Sequence, residues 1–169
     1  DYHVWFRRDV MLCLLLLIVA GLVSVFLPGI GIMVKGSHRW INLGVIRIQP
    51  SEFVKILLIV LLAAWFGQVS RRQDRFGEGC FAPALLLGLV AAGFLAQPDL
   101  GSTFLAGVGA GTLMFVSGVR LVYLCGVGLA GAGILGSVIM MDPERRRRIA
   151  ILLDPESLSK DDAHQIEQS

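Results

Sequence analysis

The stretch CFAPALLLGLVAAGFLAQPDLGSTFLAGVGAGTLMFVSGV, residues 80–119, decides the fold. Its forty residues carry one charge, Asp99. As a single helix it would run about 60 Å at about 1.5 Å per residue, twice the roughly 30 Å of a bilayer's hydrocarbon core. Pro98 also lacks a backbone N–H and blocks a continuous helix. The stretch therefore reads as two membrane spans, about Cys80–Ala96 and Leu100–Val119, folded into a hairpin with Asp99 at its tip.

Three more apolar runs, before and after this stretch, approach the span length of about 20 residues. They are Val10 to about Val34, ending in the breaker LPGIG around Pro28; Phe53 to Val69, followed by SRRQDR; and Leu121 to Met141. The composition agrees: 55% hydrophobic and 17% charged over 169 residues, against about 45–50% apolar in ordinary soluble domains. The expected fold is all-α, a polytopic membrane helical bundle of five spans, forming one incomplete membrane domain over residues 1–169. The first run lacks a small-residue cleavage site and reads as a span rather than a signal peptide. The chain opens on DYHVWFRRDV without Met and closes on AHQIEQS, and so reads as part of a longer protein.

Gly107, Gly109 and Gly111, then Gly126, Gly128, Gly131, Gly133 and Gly136, with small-xxx-small faces such as Gly107/Gly111, are expected to form packing seams between helices. Cys13, Cys80 and Cys125 lie in apolar runs, and His3, His38 and His164 are scattered. Neither set has metal-ligand spacing. The net charge of +2 argues neither for nucleic acid nor for an acidic partner.

Three groups of polar residues carry the functional signal. Glu52 and Lys55 are three apart, on one face of the second span, just after the helix start Pro50-Ser51. Glu52 suits the positive end of the helix dipole, and a cap plus a snorkelling lysine is one reading of the pair. The other is a polar cavity, since an ionisable residue inside a span tends to face a bundle interior and to have a partner. Asp99, in QPDLGS, falls on the same membrane side, so an ion pair between Lys55 and Asp99 is sterically allowed. The third group, DPERRRRIAILLDPE (142–156), has the pattern of an interfacial amphipathic segment. Its arginines suit either anionic lipid head groups or, with Arg39 and Arg47, the phosphate of a substrate, because arginine forks match phosphate oxygens.

Placing Arg7, Arg8, Arg71, Arg72, Arg75 and Arg120 in the cytoplasm leaves Lys35, Arg39, Arg47, Arg145, Arg146, Arg147, Arg148 and Lys160 outside. Positive-inside counting slightly disfavours that topology. Either the protein is inverted, or the outer basic residues are kept there for a purpose.

GSHRWINLG, IQPSEFVK, QPDLGS and RRRIAILLDPES…QIEQS, in this order, resemble the bacterial SEDS family of shape, elongation, division and sporulation proteins, which includes RodA, FtsW and SpoVE. The resemblance covers about nine-tenths of the chain. It implies a bacterial inner-membrane protein of about ten spans, of which this chain holds an N-terminal to central part, with residues 142–169 starting a large periplasmic loop. It also implies a peptidoglycan glycosyltransferase that polymerises lipid II beside a class B penicillin-binding protein that cross-links the strands.

Orientation then follows: the RWINLG loop, the QPDLG tip and the basic segment lie outside, facing the pyrophosphate of an undecaprenyl-pyrophosphate-linked glycan. Glu52, Lys55 and Asp99 match polar residues of the family's outward-facing cavity, with Lys55 and Asp99 as a salt bridge. Arg39 and Trp40 match a loop pair, and Arg147 and Arg148, with Arg145 beside them, match basic residues at the start of the external loop. The aspartate regarded as catalytic in the family belongs to a TDF motif further along; residues 1–169 contain none, so Asp99 is not assigned that role. The chemistry is either metal-assisted, by Mg or Mn, or metal-independent. Ala163-His164 and SLSKDD depart from the family pattern and leave the local fold of 157–165 open. A lipid-linked-precursor flippase and a non-catalytic division or elongation scaffold are the alternative readings. LLDPES leans slightly to elongation-type members, whereas RWINLG and RIQPSE suit elongation-type and division-type members alike, so the two readings stand near even.

Overall fold

The structure is a computed structural model that describes residues 7–27, 31–34, 37–42, 47–69 and 72–142. Arg145, Arg147 and Arg148, with the rest of the amphipathic segment, lie outside the described residues. Among the described residues five α-helices and a small sheet follow in order: α1 (Arg8–Ser24), β1 (Gly31–Val34), β2 (Ser37–Asn42), β3 (Arg47–Ile48), α2 (Pro50–Gln68), α3 (Ala82–Ala96), α4 (Leu100–Val116) and α5 (Leu121–Met141). A π-helical segment, Phe76–Phe81, runs directly into α3.

Three helical stretches are long and apolar enough to cross a membrane: Pro50–Gln68, Phe76–Ala96 and Leu121–Met141. The hairpin expected from residues 80–119 is present, with α3 and α4 packed together and turning at Gln97-Pro98-Asp99. α4 is a shorter apolar helix of 17 residues. The first span differs from expectation. α1 stops at Ser24 rather than near Val34, the Ser24 hydroxyl turning back to donate to Gly21 O at 2.7 Å. Pro28 disfavours helix in the residue before it and cannot donate a backbone hydrogen bond. The apolar GIMV beyond it instead becomes β1, in an antiparallel sheet of order β1-β2-β3. The pairing sets Ile32 opposite Trp40 and Asn42 opposite Arg47.

The chain divides into two compact units, residues 1–128 and 129–169. In the first, α2 is the central helix. Its buried Ser51, Val54, Leu58, Leu61 and Leu62 recur at helical spacing. They join Leu14 and Ile18 of α1, Val90 and Phe94 of α3, and Ala106 and Ala110 of α4 in one core. A second cluster, Phe66, Cys80, Met114 and Val119, packs against Tyr123, Leu124 and Val127 at the start of α5. Of the second unit, the structure describes the remainder of α5 and Asp142. No residue of α5 is buried.

Most of the expected glycine seams fall elsewhere. A Cβ on Gly107, Gly111, Gly126, Gly128, Gly131, Gly133 or Gly136 would meet nothing within 4 Å among the described residues. Of the expected glycines Gly109 does meet a neighbour, its Cβ falling 3.1 Å from Ile59 Cδ1 of α2; other close approaches occur at Gly21, where a Cβ would lie 2.7 Å from Val54 Cγ2, and at Gly93, where it would lie 2.9 Å from both Leu22 methyls. In α4 the buried positions are 102, 103, 106, 110 and 114. Gly107 and Gly111 follow Ala106 and Ala110 by one residue, about 100° further round the helix, and so miss that seam.

Candidate substrate-binding site

The start of α2 and the start of α4 meet in a buried polar cluster. Pro50 at the first turn of α2 and Pro98 just before α4 mark two Gln-Pro steps, Gln49-Pro50 and Gln97-Pro98, which feed these two helices. Asp99, 4% exposed, caps α4: Oδ1 accepts from the Ser102 backbone N–H at 3.0 Å, satisfying one of the amides a helix start leaves open. Thr103 Oγ1 donates to Asp99 O at 2.7 Å. On the other side, Asp99 Oδ2 accepts from Ser51 Oγ at 3.4 Å and from Gln49 Nε2 at 3.5 Å. Gln49 Nε2 also donates to Ser51 Oγ at 2.9 Å, and Ser102 Oγ to Ser51 Oγ at 3.5 Å. The carboxylate thus lies among neutral donors and at the positive ends of two helix dipoles.

Two latches hold this turn. Arg39 of β2 donates through Nε to Gln97 O at 3.3 Å and through Nη2 to Pro98 O, fastening the sheet to the α3–α4 turn. Gln97, 1% exposed, donates through Nε2 to Leu22 O at 3.0 Å, fastening α1 to the same turn. Arg39 therefore spends these two contacts on backbone carbonyls, as a positioning residue.

Lys55 does not pair with Asp99. Its Nζ lies 2.9 Å from Glu52 Oε1; the lysine side chain is 16% exposed and the glutamate 59%. Glu52 is one turn back on the same helix face, whereas Asp99 is turned toward the Ser102 amide that it caps. Ser51, rather than Lys55, is the α2 residue that reaches it. The Glu52–Lys55 pair sits at the edge of the cluster, with Glu52 at the surface. Trp40 is half-buried on β2, and Arg47 is exposed on β3. The structure thus brings Arg39 and Asp99 to one turn and Glu52 and Lys55 to its margin. Gln49, Ser51, Gln97 and Ser102 were not picked out from the sequence. The repeated Gln-Pro step before each helix is the signal that would have found them. Among the described residues no three or more His, Cys, Asp or Glu side chains gather as a metal site, and the cluster offers the single carboxylate of Asp99.

The FtsW/RodA/SpoVE cell cycle protein family model matches residues 2–169. The chain belongs to this family. A probable peptidoglycan glycosyltransferase FtsW of Geobacter sp. (strain M18) is 37% identical over 172 aligned residues, covering 100% of this chain and 46% of the relative. Stage V sporulation protein E of Bacillus subtilis (strain 168) is 34% identical over 158 residues, covering 91% of this chain and 41% of that one. The chain thus spans less than half the length of these FtsW and SpoVE relatives. Its fold is also that of a chain from a solved peptidoglycan synthase complex that coordinates polymerization and crosslinking, with a TM-score of 0.62 and 28% identity over 89% of this chain and 45% of the other. Membership of the FtsW/RodA/SpoVE family together with the apolar helices identifies a membrane protein.

Proposed function

We propose that the protein to which these 169 residues belong is a peptidoglycan glycosyltransferase that polymerises lipid II in the bacterial inner membrane, alongside a class B penicillin-binding protein. The observation that carries this reading is the family match over residues 2–169, joined to relatives named as peptidoglycan glycosyltransferases. In this reading the Arg8 end of the helices is cytoplasmic and the Asp99 cluster lies at the periplasmic face.

In the reaction, the sugar 4-hydroxyl of lipid II attacks the anomeric carbon of the growing strand, and undecaprenyl pyrophosphate leaves. The step requires a base near the hydroxyl and cations on the pyrophosphate. This chain contributes a wall of the cavity. Asp99, held by Ser51, Gln49 and the Ser102 amide, fixes how α2 and α4 meet; Glu52 and Lys55 present charge at the edge; Arg47, with Arg145, Arg147 and Arg148, supplies cations for the pyrophosphate. The general base belongs to the TDF segment outside residues 1–169.

The test is lipid II polymerisation by the full-length protein in detergent, where there is no bilayer to flip a substrate across. Glycan strands are the expected product, lost in Lys55→Ala and Asp99→Ala while both variants still insert. Wild-type protein that forms no strands even with its transpeptidase partner present would overturn the assignment in favour of a transporter or scaffold.

A further inference from the structure

The first unit carries a concave feature at the end opposite the Asp99 cluster. A cavity of about 570 Å³ lies between the first half of α1, the second half of α2 and the start of α3, within the roughly 300–1,000 Å³ range of small-ligand pockets. Its wall is leucine: Leu12, Leu15, Leu61 and Leu86. Leu12 is 59% exposed and Leu15 36%, so the cavity opens sideways on the apolar surface of the helices rather than toward the polar cluster. Trp65 closes one side, its indole N–H donating to Glu78 O at 2.9 Å.

The rim is charged. Arg8, Arg72 and Glu78 line it. Arg72 Nη1 is paired with Glu78 Oε1 at 2.8 Å. The neighbouring Arg7 is paired with Asp9 at 3.4 Å. Arg8 has no ion-pair partner among the described residues, which leaves the rim with one net positive charge. A leucine groove open to the hydrocarbon, with an uncompensated arginine at its polar end, has the chemistry of a phospholipid: apolar length first, phosphate last. A soluble anion would gain nothing from the leucines, and a zwitterionic choline head group would bring its own cation toward Arg8.

We propose that this cavity holds one anionic phospholipid, an acyl chain along the leucine wall and the phosphate against Arg8 beside the Arg72–Glu78 pair. The site is separate from the polar cluster and does not depend on which reaction the protein performs. It makes the protein sensitive to the anionic lipid content of the leaflet at the Arg8 end.

The experiment is native mass spectrometry of the full-length protein in detergent, offered equimolar phosphatidylglycerol and phosphatidylcholine with identical acyl chains. Wild type is expected to retain one phosphatidylglycerol in preference to phosphatidylcholine by about fivefold, the ratio one basic residue supplies near an anionic lipid. Arg8→Gln should bring the two lipids to parity. Leu12→Trp, which fills the groove from an exposed position, should lower retention of both. Equal retention of the two lipids by wild type, a preference that survives Arg8→Gln, or no retained lipid at all, as when another segment of the longer protein fills the groove, would each overturn the proposal.

Discussion

Replacing Asp99 separates a cap from a charge. In Asp99→Ala the α4 cap is lost, a change that costs about 1 kcal/mol in typical helices. The same substitution strips an acceptor from Ser51 Oγ and Gln49 Nε2 in a site where Ser51 is 1% exposed, at about 1–3 kcal/mol for a stranded buried group. The two sum to about 2–4 kcal/mol. Asp99→Asn keeps Oδ1 as acceptor for the Ser102 amide, and its new NH2 can donate to Ser51 Oγ once the Ser51 hydroxyl turns from Oδ2 to donate to Ser102 Oγ, so the contact with Gln49 is the main one to turn unfavourable; the expected cost is about 1 kcal/mol. Thermal unfolding of the full-length protein in detergent, followed by far-ultraviolet circular dichroism, should therefore show a midpoint drop for Ala at least twice that for Asn. Equal drops would refute the reasoning. They would mean that the negative charge, paired with a cation such as Lys55, holds the two helices together, and not the neutral hydrogen bonds and the cap.

The same geometry predicts that a Lys55→Asp/Asp99→Lys exchange fails to restore polymerisation lost in the single variants, because a lysine cannot cap α4; recovery in the double variant would point to a direct ion pair. Arg39→Lys should lose the two-carbonyl latch on Gln97 and Pro98, costing about 1–3 kcal/mol and exposing the α3–α4 turn, read as faster backbone hydrogen exchange at residues 97–103. Gly93→Val forces a Cβ to within 2.9 Å of the Leu22 methyls and should destabilise by about 1–3 kcal/mol. Gly107→Ala meets nothing within 4 Å and should be neutral or stabilising by up to about 1 kcal/mol; unfolding midpoints of the two variants check both. The isolated 169-residue chain should show no lipid II turnover above a protein-free control.

Sequence alone determined the membrane class, the α3–α4 hairpin and the family. Each rests on a local rule that tertiary packing cannot reverse: an apolar run must span hydrocarbon, a proline must break a helix, and four motifs in order identify relatives. The end of the first helix was legible only in part, because Pro28 announces a break without saying that GIMV beyond it will pair as a strand. Of the glycine pattern in α4 only Gly109 meets a described neighbour, for a related reason. Spacing of four marks a helix face, but which face meets a neighbour depends on the rotation of the whole helix, and α4 turns Ala106 and Ala110 inward. Asp99 was placed from sequence at the same end of the bundle as the start of α2, where the structure has it, yet its partners were not. Opposite charges attract at long range in a reading of the chain, whereas in the fold the nearest donors decide. Those donors are a capped amide at Ser102 and a hydroxyl at Ser51, the latter 48 residues away in the chain and brought to Asp99 by the meeting of two helix starts, while Lys55 finds Glu52 one turn away.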